Sequence, residues 1–244
     1  MPIAVIGDVH SNLAAFRAVL DKIDELGIRR ILFVGDLVGY NASPAECLEL
    51  IKEREPVAIS GNHDRYTAGQ PMDDLREATI KAIEYTRDAI GDEGIEFLAQ
   101  LPTQQTIDDR YMIVHGSVCD PDEYMLSSEV IVKNIKELRG SYGGIDICFF
   151  GHSHFPAVIG NGKADMKFGE TRQVELDPTK QYLLNPGSVG QPRDGVRDAS
   201  FGVFDPKAHT FTIHRVPYDI KDTHDRVREA GLGRKLAERL LIGR

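Results

Sequence analysis

The sequence has little of what marks secreted or membrane-spanning proteins. It contains three cysteines in 244 residues, an odd number at wide spacing, which suits reduced thiols in a cytoplasm better than a disulfide framework. No apolar run approaches the roughly 18 residues that a membrane span needs. The amino terminus leads directly into a strand-like segment, without a charged region or a cleavage signal. We therefore expect a soluble, cytoplasmic protein that has no membrane partner.

Positive charge is also scarce. The chain has 29 Lys and Arg residues against 38 Asp and Glu residues, which gives a formal net charge of −9. Binding to a nucleic-acid backbone needs a basic surface, so this balance argues against such a partner and favours a small phosphorylated or nucleotide substrate. The chain also lacks a Gly/Ser-rich or Pro-rich linker, which predicts a single domain over residues 1–244. A homo-oligomer is compatible with the sequence, which does not decide the matter.

Five apolar, strand-like runs are each followed by polar residues. The clearest covers residues 31–34 and is followed by Gly35 and Asp36. In α/β sheets, ligands collect in the loops that follow the carboxyl ends of buried strands. The repeated pattern therefore predicts one site at the rim of a sheet. The polar residues that follow the five runs are Asp8 and His10, Asp36, Asn62 and His63, His115, and finally His152 and His154.

These residue types suit a metal centre. Two carboxylates, four imidazoles and the Asn62 amide oxygen, without a thiolate, suit Mn, Fe or Zn. They are too many for one tetrahedral ion. They suit two divalent ions about 3.5–4 Å apart that share a bridging carboxylate.

Such a centre would attract phosphate. Two divalent cations bring four positive charges, of which Asp8, Asp36 and a bridging hydroxide remove three, so a positive charge remains. Water bound to such ions has its pKa lowered to about 7 and can attack phosphorus at neutral pH. In-line displacement then needs an acid for the leaving oxygen. His63, next to Asn62, is the candidate catalytic residue.

In their order along the chain, these motifs resemble those of the calcineurin-like metallophosphoesterase superfamily. With the segment 185–190, the chain is similar to the compact prokaryotic phosphodiesterase-like branch, which includes asymmetrical dinucleoside tetraphosphatases. The resemblance implies one ion held by Asp8, His10, Asp36 and His154, and a second held by Asp36, Asn62, His115 and His152, with His63 near the leaving group. The motifs are Asp8-x-His10, Gly35-Asp36, Gly61-Asn62-His63-Asp64, His115 and Gly151-His152-Ser153-His154.

One departure from the wider superfamily concerns Gly39 and Tyr40. Phosphoprotein phosphatases and the related symmetrical dinucleoside tetraphosphatases have an arginine at the position of Tyr40. At the position of Gly39, phosphoprotein phosphatases have an aspartate that partners the catalytic histidine. The difference argues against protein phosphatase activity.

The resemblance also implies the fold, an α/β (α+β) sandwich of two mixed sheets packed face to face and flanked by helices. The residue pattern predicts helices over 12–26, 45–53 and 127–138, and a hairpin formed by 103–107 and 110–114. After Pro156, short strands at about 158–162, 181–184, 201–205 and 210–216 predict a second, mainly antiparallel sheet packed on the first.

For each of two helical segments, the sequence allows two structural roles. A helical insertion at about 71–101, which starts at Met72-Asp73-Asp74, breaks after Ile90 and resumes at Gly94, either borders the site or simply covers the sheet. A charged C-terminal helix at about 222–241, broken near residues 231–233, either packs on the core or makes a dimer contact.

Three further residues are candidate substrate contacts, and each has a structural alternative. Arg65 follows the histidine motif and would contact phosphate or form a surface salt bridge. Arg193 lies in a glycine-containing loop and would contact phosphate or remain a surface arginine. Tyr40 would stack on a base or pack within the protein.

The sequence as a whole predicts a phosphoesterase that uses two divalent metal ions and a metal-bridged hydroxide to hydrolyse phosphodiester or nucleotide substrates. Asymmetrical dinucleoside polyphosphates belong to this class. The alternatives are a phosphomonoesterase and a non-catalytic scaffold of the same fold. The complete ligand set and His63 argue against the scaffold.

Overall fold

The protein is built around two six-stranded sheets. The structure is a computed structural model that describes residues 1–73, 75–160 and 163–244. In spatial order, the first sheet contains β3 (Val57–Ala58), β2 (Arg30–Phe33), β1 (Ile3–Ile6), β11 (Ala199–Asp205), β12 (Thr210–Val216) and β9 (Arg172–Glu175). The second contains β4 (Gln104–Ile107), β5 (Tyr111–Val114), β6 (Ile147–Phe149), β10 (Tyr182–Asn185), β7 (Ala157–Gly160) and β8 (Lys163–Asp165). Each sheet has parallel and antiparallel pairs, which confirms the predicted fold class.

The distribution of strands between the sheets differs from the prediction. The strands after Pro156 do not form a separate sheet: β9, β11 and β12 join the first sheet, where β11 pairs antiparallel with β1. Conversely, β5 and β6 belong to the second sheet, where β6 pairs in parallel with β10 and β10 pairs with β7. A strand's residue pattern reports its burial but not its neighbour, so this part of the prediction was wrong. Residues 161–162 of the segment predicted at 158–162 lie outside the described residues.

An apolar layer lies between the sheets. Val5 of β1 belongs to this layer together with Phe149, which packs against the rings of Phe204 and Phe211. The next residue, Ile6, points the other way, into the cluster under the flanking helices. Because side chains alternate along a strand, β1 buries both of its faces, which accords with a sequence that is apolar at every position.

Helices cover the outer faces. They are α1 (Leu13–Glu25), α2 (Pro44–Arg54), α3 (Asn62–Thr67), α4 (Glu77–Ala99), α5 (Ser128–Ser141), α6 (Ile220–Glu229) and α7 (Arg234–Leu240). Asn12 and Ser127 cap α1 and α5 by accepting hydrogen bonds from backbone N–H groups in the first turn. Ser43 precedes Pro44 at the start of α2 as predicted, although its side chain makes no cap hydrogen bond. The short helix α3 is absent from the prediction.

The structure shows where the insertion and the C-terminal helical segment lie. The insertion helix begins at Glu77, later than predicted, and Asp74 lies outside the described residues. It is interrupted at Gly91, beside the predicted break. The C-terminal segment is two helices, α6 and α7, whose buried residues Val227 and Leu236 pack in one cluster with Ala82 of α4. Among the described helices, none combines the length and the apolar character that crossing a membrane requires.

Candidate metal centre and active site

The residues predicted to form the site come together where the rims of the two sheets meet. The first sheet supplies residues after β1 and β2, and α3 follows its edge strand β3. The second sheet supplies residues after β5 and β6. The site therefore lies between two sheets, whereas the sequence predicts the rim of one. The residues are Asp8, His10, Asp36, Asn62 and His63 from the first side, and His115, His152 and His154 from the second.

These side chains form two groups that share Asp36. In each group, one potential ligand atom per residue lies within 4.8 Å of the others. The Oδ2 atom of Asp36 is 3.4 Å from His10 Nε2 and 3.4 Å from His115 Nε2. A carboxylate between two ligand groups is the arrangement of a bridged dinuclear site. The first group is Asp8, His10, Asp36 and His154; the second is Asp36, His115 and His152, with Asn62 Oδ1 3.2 Å from His115 Nε2.

Each of the four imidazoles is anchored by a backbone carbonyl. Because a carbonyl only accepts hydrogen bonds, each contact places a proton on the nitrogen that makes it and leaves the other nitrogen for the cluster. This is the support that metal-bound histidines have in proteins. The bonds run from His10 Nδ1 to Val38 (3.1 Å), from His115 Nδ1 to Val34 (2.8 Å), from His154 Nδ1 to Gln191 (2.5 Å) and from His152 Nε2 to Asp122 (3.0 Å).

Two features of the first group are unfavourable in the absence of a cation. The Nε2 atoms of His10 and His154 lie 3.1 Å apart, and with both protons held on Nδ1 their lone pairs face each other. The Oδ2 atom of Asp8 is buried and has no hydrogen-bond partner in the described part of the chain. Buried polar atoms normally have partners. A divalent cation would satisfy all three atoms, so these residues fit a metal ion.

The electrostatics of the imidazoles support this fit. Burial lowers the pKa of His10 and of His154 well below the ordinary value, and it lowers the pKa of His152 to about 3. Burial also acts to lower the pKa of His115, but the Asp36 carboxylate outweighs it and raises that pKa to about 9. Three of the four imidazoles are therefore neutral at pH 7, the form that binds metal.

The two carboxylates behave differently from each other. Burial acts to raise the pKa of Asp36, but the imidazoles of His115, His63 and His10 outweigh it and hold that pKa well below its ordinary value. Burial raises the pKa of Asp8 to about 7. Asp36 is thus ionised at neutral pH, whereas Asp8 is partly protonated, and a bound cation would favour its ionised form.

The backbone is strained at most of these positions. Left-handed conformations are uncommon for residues other than glycine and cost about 1–3 kcal/mol each. Here they let the chain turn sharply after each strand, so that neighbouring polar side chains reach one cluster. The residues concerned are Asp8 (φ 50), His10 (φ 46), Asp36 (φ 58), His152 (φ 64) and His154 (φ 61).

His63 lies beside the cluster, in the first turn of α3. The Asp64 carboxylate holds this turn by accepting hydrogen bonds from the N–H groups of Gly61 (3.0 Å) and Val38 (3.1 Å). The His63 N–H donates to Asp36 Oδ1 (2.9 Å). The ring nitrogen Nδ1 of His63 is buried and has no partner among the described residues.

Gly39 lies directly against His63. Its φ is +92°, and a Cβ atom at this position would lie 2.4 Å from His63 Nδ1. A side chain here would be strained and would clash with the imidazole. His63 thus lacks the neighbouring carboxylate that phosphoprotein phosphatases have, as the sequence predicts.

A cavity of about 630 Å³ opens beside His63. Asn62, Tyr40 and Arg193 also line it. The Tyr40 ring packs against the rings of His63 (4.3 Å between centroids) and His10 (4.5 Å). Tyr40 therefore packs within the protein and also lines the cavity. The volume lies within the range of about 300–1,000 Å³ that small-molecule sites have.

The two arginines predicted to contact substrate differ in their surroundings. Arg193 lines the cavity, with Nη2 3.5 Å from the Tyr40 hydroxyl and with Nε buried and without a partner among the described residues. Arg65 is paired with Asp122 and donates to the carbonyl of Ser60 (3.2 Å). It does not line the cavity. Its ion pair is the structural alternative given above, which leaves Arg193 as the candidate phosphate contact.

Four cationic or aromatic residues of the cavity were not predicted from the sequence. Tyr124 stacks on His152, with 3.9 Å between ring centroids. Arg76, Lys235 and Arg239 line the same cavity. The one available signal was the spacing of Lys235 and Arg239, since residues four apart share a helix face.

Comparison with known proteins identifies the family. The family model for the calcineurin-like phosphoesterase superfamily domain matches residues 1–209. The chain belongs to the calcineurin-like phosphoesterase superfamily. This result confirms the resemblance drawn from the motifs.

Relatives of this calcineurin-like phosphoesterase match it over its full length. An uncharacterized protein of Methanocaldococcus jannaschii is 39% identical over 246 residues, which cover 99% of this chain and 98% of the relative. The crystal structure of a metallophosphoesterase from Sphaerobacter thermophilus has a TM-score of 0.85 and 34% identity, and the match covers 100% of this chain and 99% of the other. A hypothetical protein from Pyrococcus horikoshii, at 22% identity, shares the fold with a TM-score of 0.83 over 100% of this chain and 98% of its own.

Proposed function

We propose that this calcineurin-like phosphoesterase hydrolyses phosphodiester or nucleotide substrates with the help of two divalent metal ions. The observation that supports this most directly is the position of Asp36 Oδ2, 3.4 Å from Nε2 of both His10 and His115. One oxygen thus faces both ligand groups. Nitrogen and oxygen ligands without thiolate suit Mn, Fe or Zn.

The residues divide into those that would hold the ions and those that would act on the substrate. Bound there, the ions would supply an activated water at neutral pH and positive charge for the phosphoryl oxygens. The first ion would be held by Asp8, His10, Asp36 and His154, and the second by Asp36, Asn62, His115 and His152.

His63 would donate a proton to the leaving oxygen. Burial lowers its pKa, so at pH 7 the imidazole is neutral before substrate binds. A phosphate anion in contact with an imidazole favours the charged form and raises its pKa. His63 would therefore take up a proton as the substrate arrives and release it to the leaving group.

Arg193 would bind the phosphoryl oxygens. Its guanidinium always carries a positive charge, and it can donate two parallel hydrogen bonds to a phosphate. Burial acts to lower the pKa of Arg193, but Tyr40, Tyr124 and Asp8 together raise it. The charge is thus held within the protein and directed toward the cavity.

The test is the Mn-dependent hydrolysis of three substrates, namely bis-p-nitrophenyl phosphate, p-nitrophenyl phosphate and diadenosine tetraphosphate, with products resolved. The chelated protein and the His63→Ala variant, purified in parallel, control for contaminating phosphatases. Diester cleavage well above monoester cleavage would support the proposal. ATP plus AMP from the dinucleotide would narrow the activity to asymmetrical hydrolysis.

Other outcomes would change the assignment. A preference for p-nitrophenyl phosphate would make the protein a phosphomonoesterase. Protein that binds no Mn and hydrolyses none of the three substrates would contradict the proposal and favour a non-catalytic scaffold.

A further inference from the structure

The cavity beside His63 is strongly basic. Four cationic side chains line it, Arg76, Arg193, Lys235 and Arg239, and no acidic side chain of the described residues does. The whole chain carries a net charge of −9, so this cavity is a positive region on an acidic protein. A cleft lined by one sign of charge concentrates the field within it and attracts ions of the opposite sign.

Two of these cations lie on α7, and no carboxylate of the described residues pairs with them. Lys235 and Arg239 make no ion pair with any described residue, whereas Arg234 of the same helix pairs with Glu238 (2.5 Å between Nε and Oε1). Residues four apart lie on one face of a helix, so Lys235 and Arg239 point to the same side. The cavity side of α7 thus carries uncompensated positive charge.

The position of α7 is fixed by packing. Leu236, between the two cations, is buried in a cluster to which Tyr40 also belongs. The Arg239 guanidinium is close enough to Tyr40 to oppose the rise in the Tyr40 pKa that burial causes. Tyr40 in turn packs on His63. The cationic side of α7 is therefore held next to the candidate catalytic residue.

The cavity is also larger than one phosphate group requires. At about 630 Å³ it lies in the middle of the range of about 300–1,000 Å³ for small-molecule sites. The rings of Tyr40 and Tyr124 line it as well, and Tyr124 is 46% exposed. Aromatic rings at a site bury the apolar faces of a ligand and stack on planar groups such as bases.

We propose that Lys235 and Arg239, with Arg76, form a second anion-binding subsite that holds a phosphate group other than the one hydrolysed. The substrate is then a small polyphosphate ester, a nucleoside or dinucleoside polyphosphate. The proposal rests on the proposed function, because both concern the same cavity. It assigns Arg193 to the reacting phosphate of the substrate. The cations of α7 bind another phosphate group of the same polyphosphate.

The first experiment compares two substrates in three proteins. For the wild type, Arg239→Gln and Arg234→Gln, kcat/KM is measured with diadenosine tetraphosphate and with bis-p-nitrophenyl phosphate, which has one phosphate. Glutamine removes the charge and retains a good helix former. We expect the ratio of the two values to fall about tenfold in Arg239→Gln, because a charge-assisted hydrogen bond to phosphate is lost. Arg234→Gln is the matched control and should leave the ratio within about twofold.

The second experiment measures binding without turnover. Inorganic tripolyphosphate and orthophosphate are titrated into the full-length, chelated protein by calorimetry. We expect tripolyphosphate to bind the wild type more tightly than orthophosphate, and Arg239→Gln and Lys235→Gln each to weaken tripolyphosphate binding about tenfold. Circular dichroism confirms that the variants are folded.

The outcomes separate this proposal from the proposed function. If esters are hydrolysed but Arg239→Gln behaves like Arg234→Gln in both experiments, the subsite is wrong and the function stands. If no ester is hydrolysed but tripolyphosphate binding depends on Arg239 and Lys235, the subsite stands and the function is wrong.

Discussion

The two ligand groups that share Asp36 differ in charge and in exposure. The first has two carboxylates, and every one of its side chains is at most 1% exposed. The second has one carboxylate and the half-buried Asn62, and its His152 lies against Tyr124 at the cavity. More negative charge and less solvent favour tighter binding of a cation. We therefore expect the first group to bind its ion more tightly and the second to lie on the substrate side.

The largest effect should come from Asp36→Asn. The substitution keeps the size of the side chain but removes the charge that both groups share, so both ions and the activity should be lost. Metal content after reconstitution with Mn, measured by mass spectrometry, checks this. Asp108→Asn, at an exposed ion pair with Arg30, is the matched control. Two ions retained by Asp36→Asn would rule out the bridging role.

His63→Ala should reduce turnover by about 10²–10⁴-fold, the usual contribution of a general acid. Both ions should stay bound, because His63 belongs to neither ligand group. Steady-state kinetics and metal content are measured on the same preparation. The control is His224→Ala, at a partly exposed histidine on α6. Loss of metal from His63→Ala would instead give that histidine a ligand or structural role.

Asp8→Asn and Asn62→Ala should each weaken one ion and spare the other. Asp8 is a member of the first group alone, and Asn62 lies against His115 of the second. A lost direct ligand should cost at least the roughly 10–100-fold in affinity that a lost supporting hydrogen bond costs. Titration with Zn against a chromophoric chelator would resolve the two sites. If each variant weakened both ions equally, the two groups would not be separable.

The last prediction concerns the pH dependence of metal affinity. A metal must displace any proton on its ligands, so affinity rises with pH until the ligand is deprotonated. The pKa of Asp8 is raised to about 7 by burial, and that of His115 is raised to about 9 by Asp36 against the effect of burial. Affinity at the first group should therefore rise about tenfold per pH unit and level off above pH 7, and affinity at the second should continue to rise to about pH 9. Chelator competition between pH 5.5 and 9.5 checks this, and identical profiles for both sites would contradict it.

The residues of the candidate site could be predicted because their signal is local. Each lies within a few residues of a strand or in the helix turn after one, and a buried strand is recognisable from its own apolar residues. Asp36 after the run at 31–34 is the plainest case. Their roles as metal ligands stay predictions that the measurements above test.

The sheet membership of the strands could not be predicted in the same way. The pairing of β1 with β11 joins Ala4 to Val203, and nothing in either segment names the other. For the same reason, no local pattern indicates which carbonyls anchor the imidazoles, such as that of Gln191 for His154. Every residue has a backbone carbonyl, so residue types do not indicate which carbonyl an imidazole contacts.

By itself, then, the sequence determined the family, through the resemblance of its motifs. It also determined the buried strands and the eight polar residues that meet at the rim, because these follow from short-range patterns of polarity. Only the tertiary structure decided that this rim lies between two sheets and that α7 brings Lys235 and Arg239 to the cavity of His63. The physical reason is that these contacts join segments far apart in the chain. For α7, the packing of Leu236 and its neighbours, rather than any local preference of the sequence, sets the position of the helix.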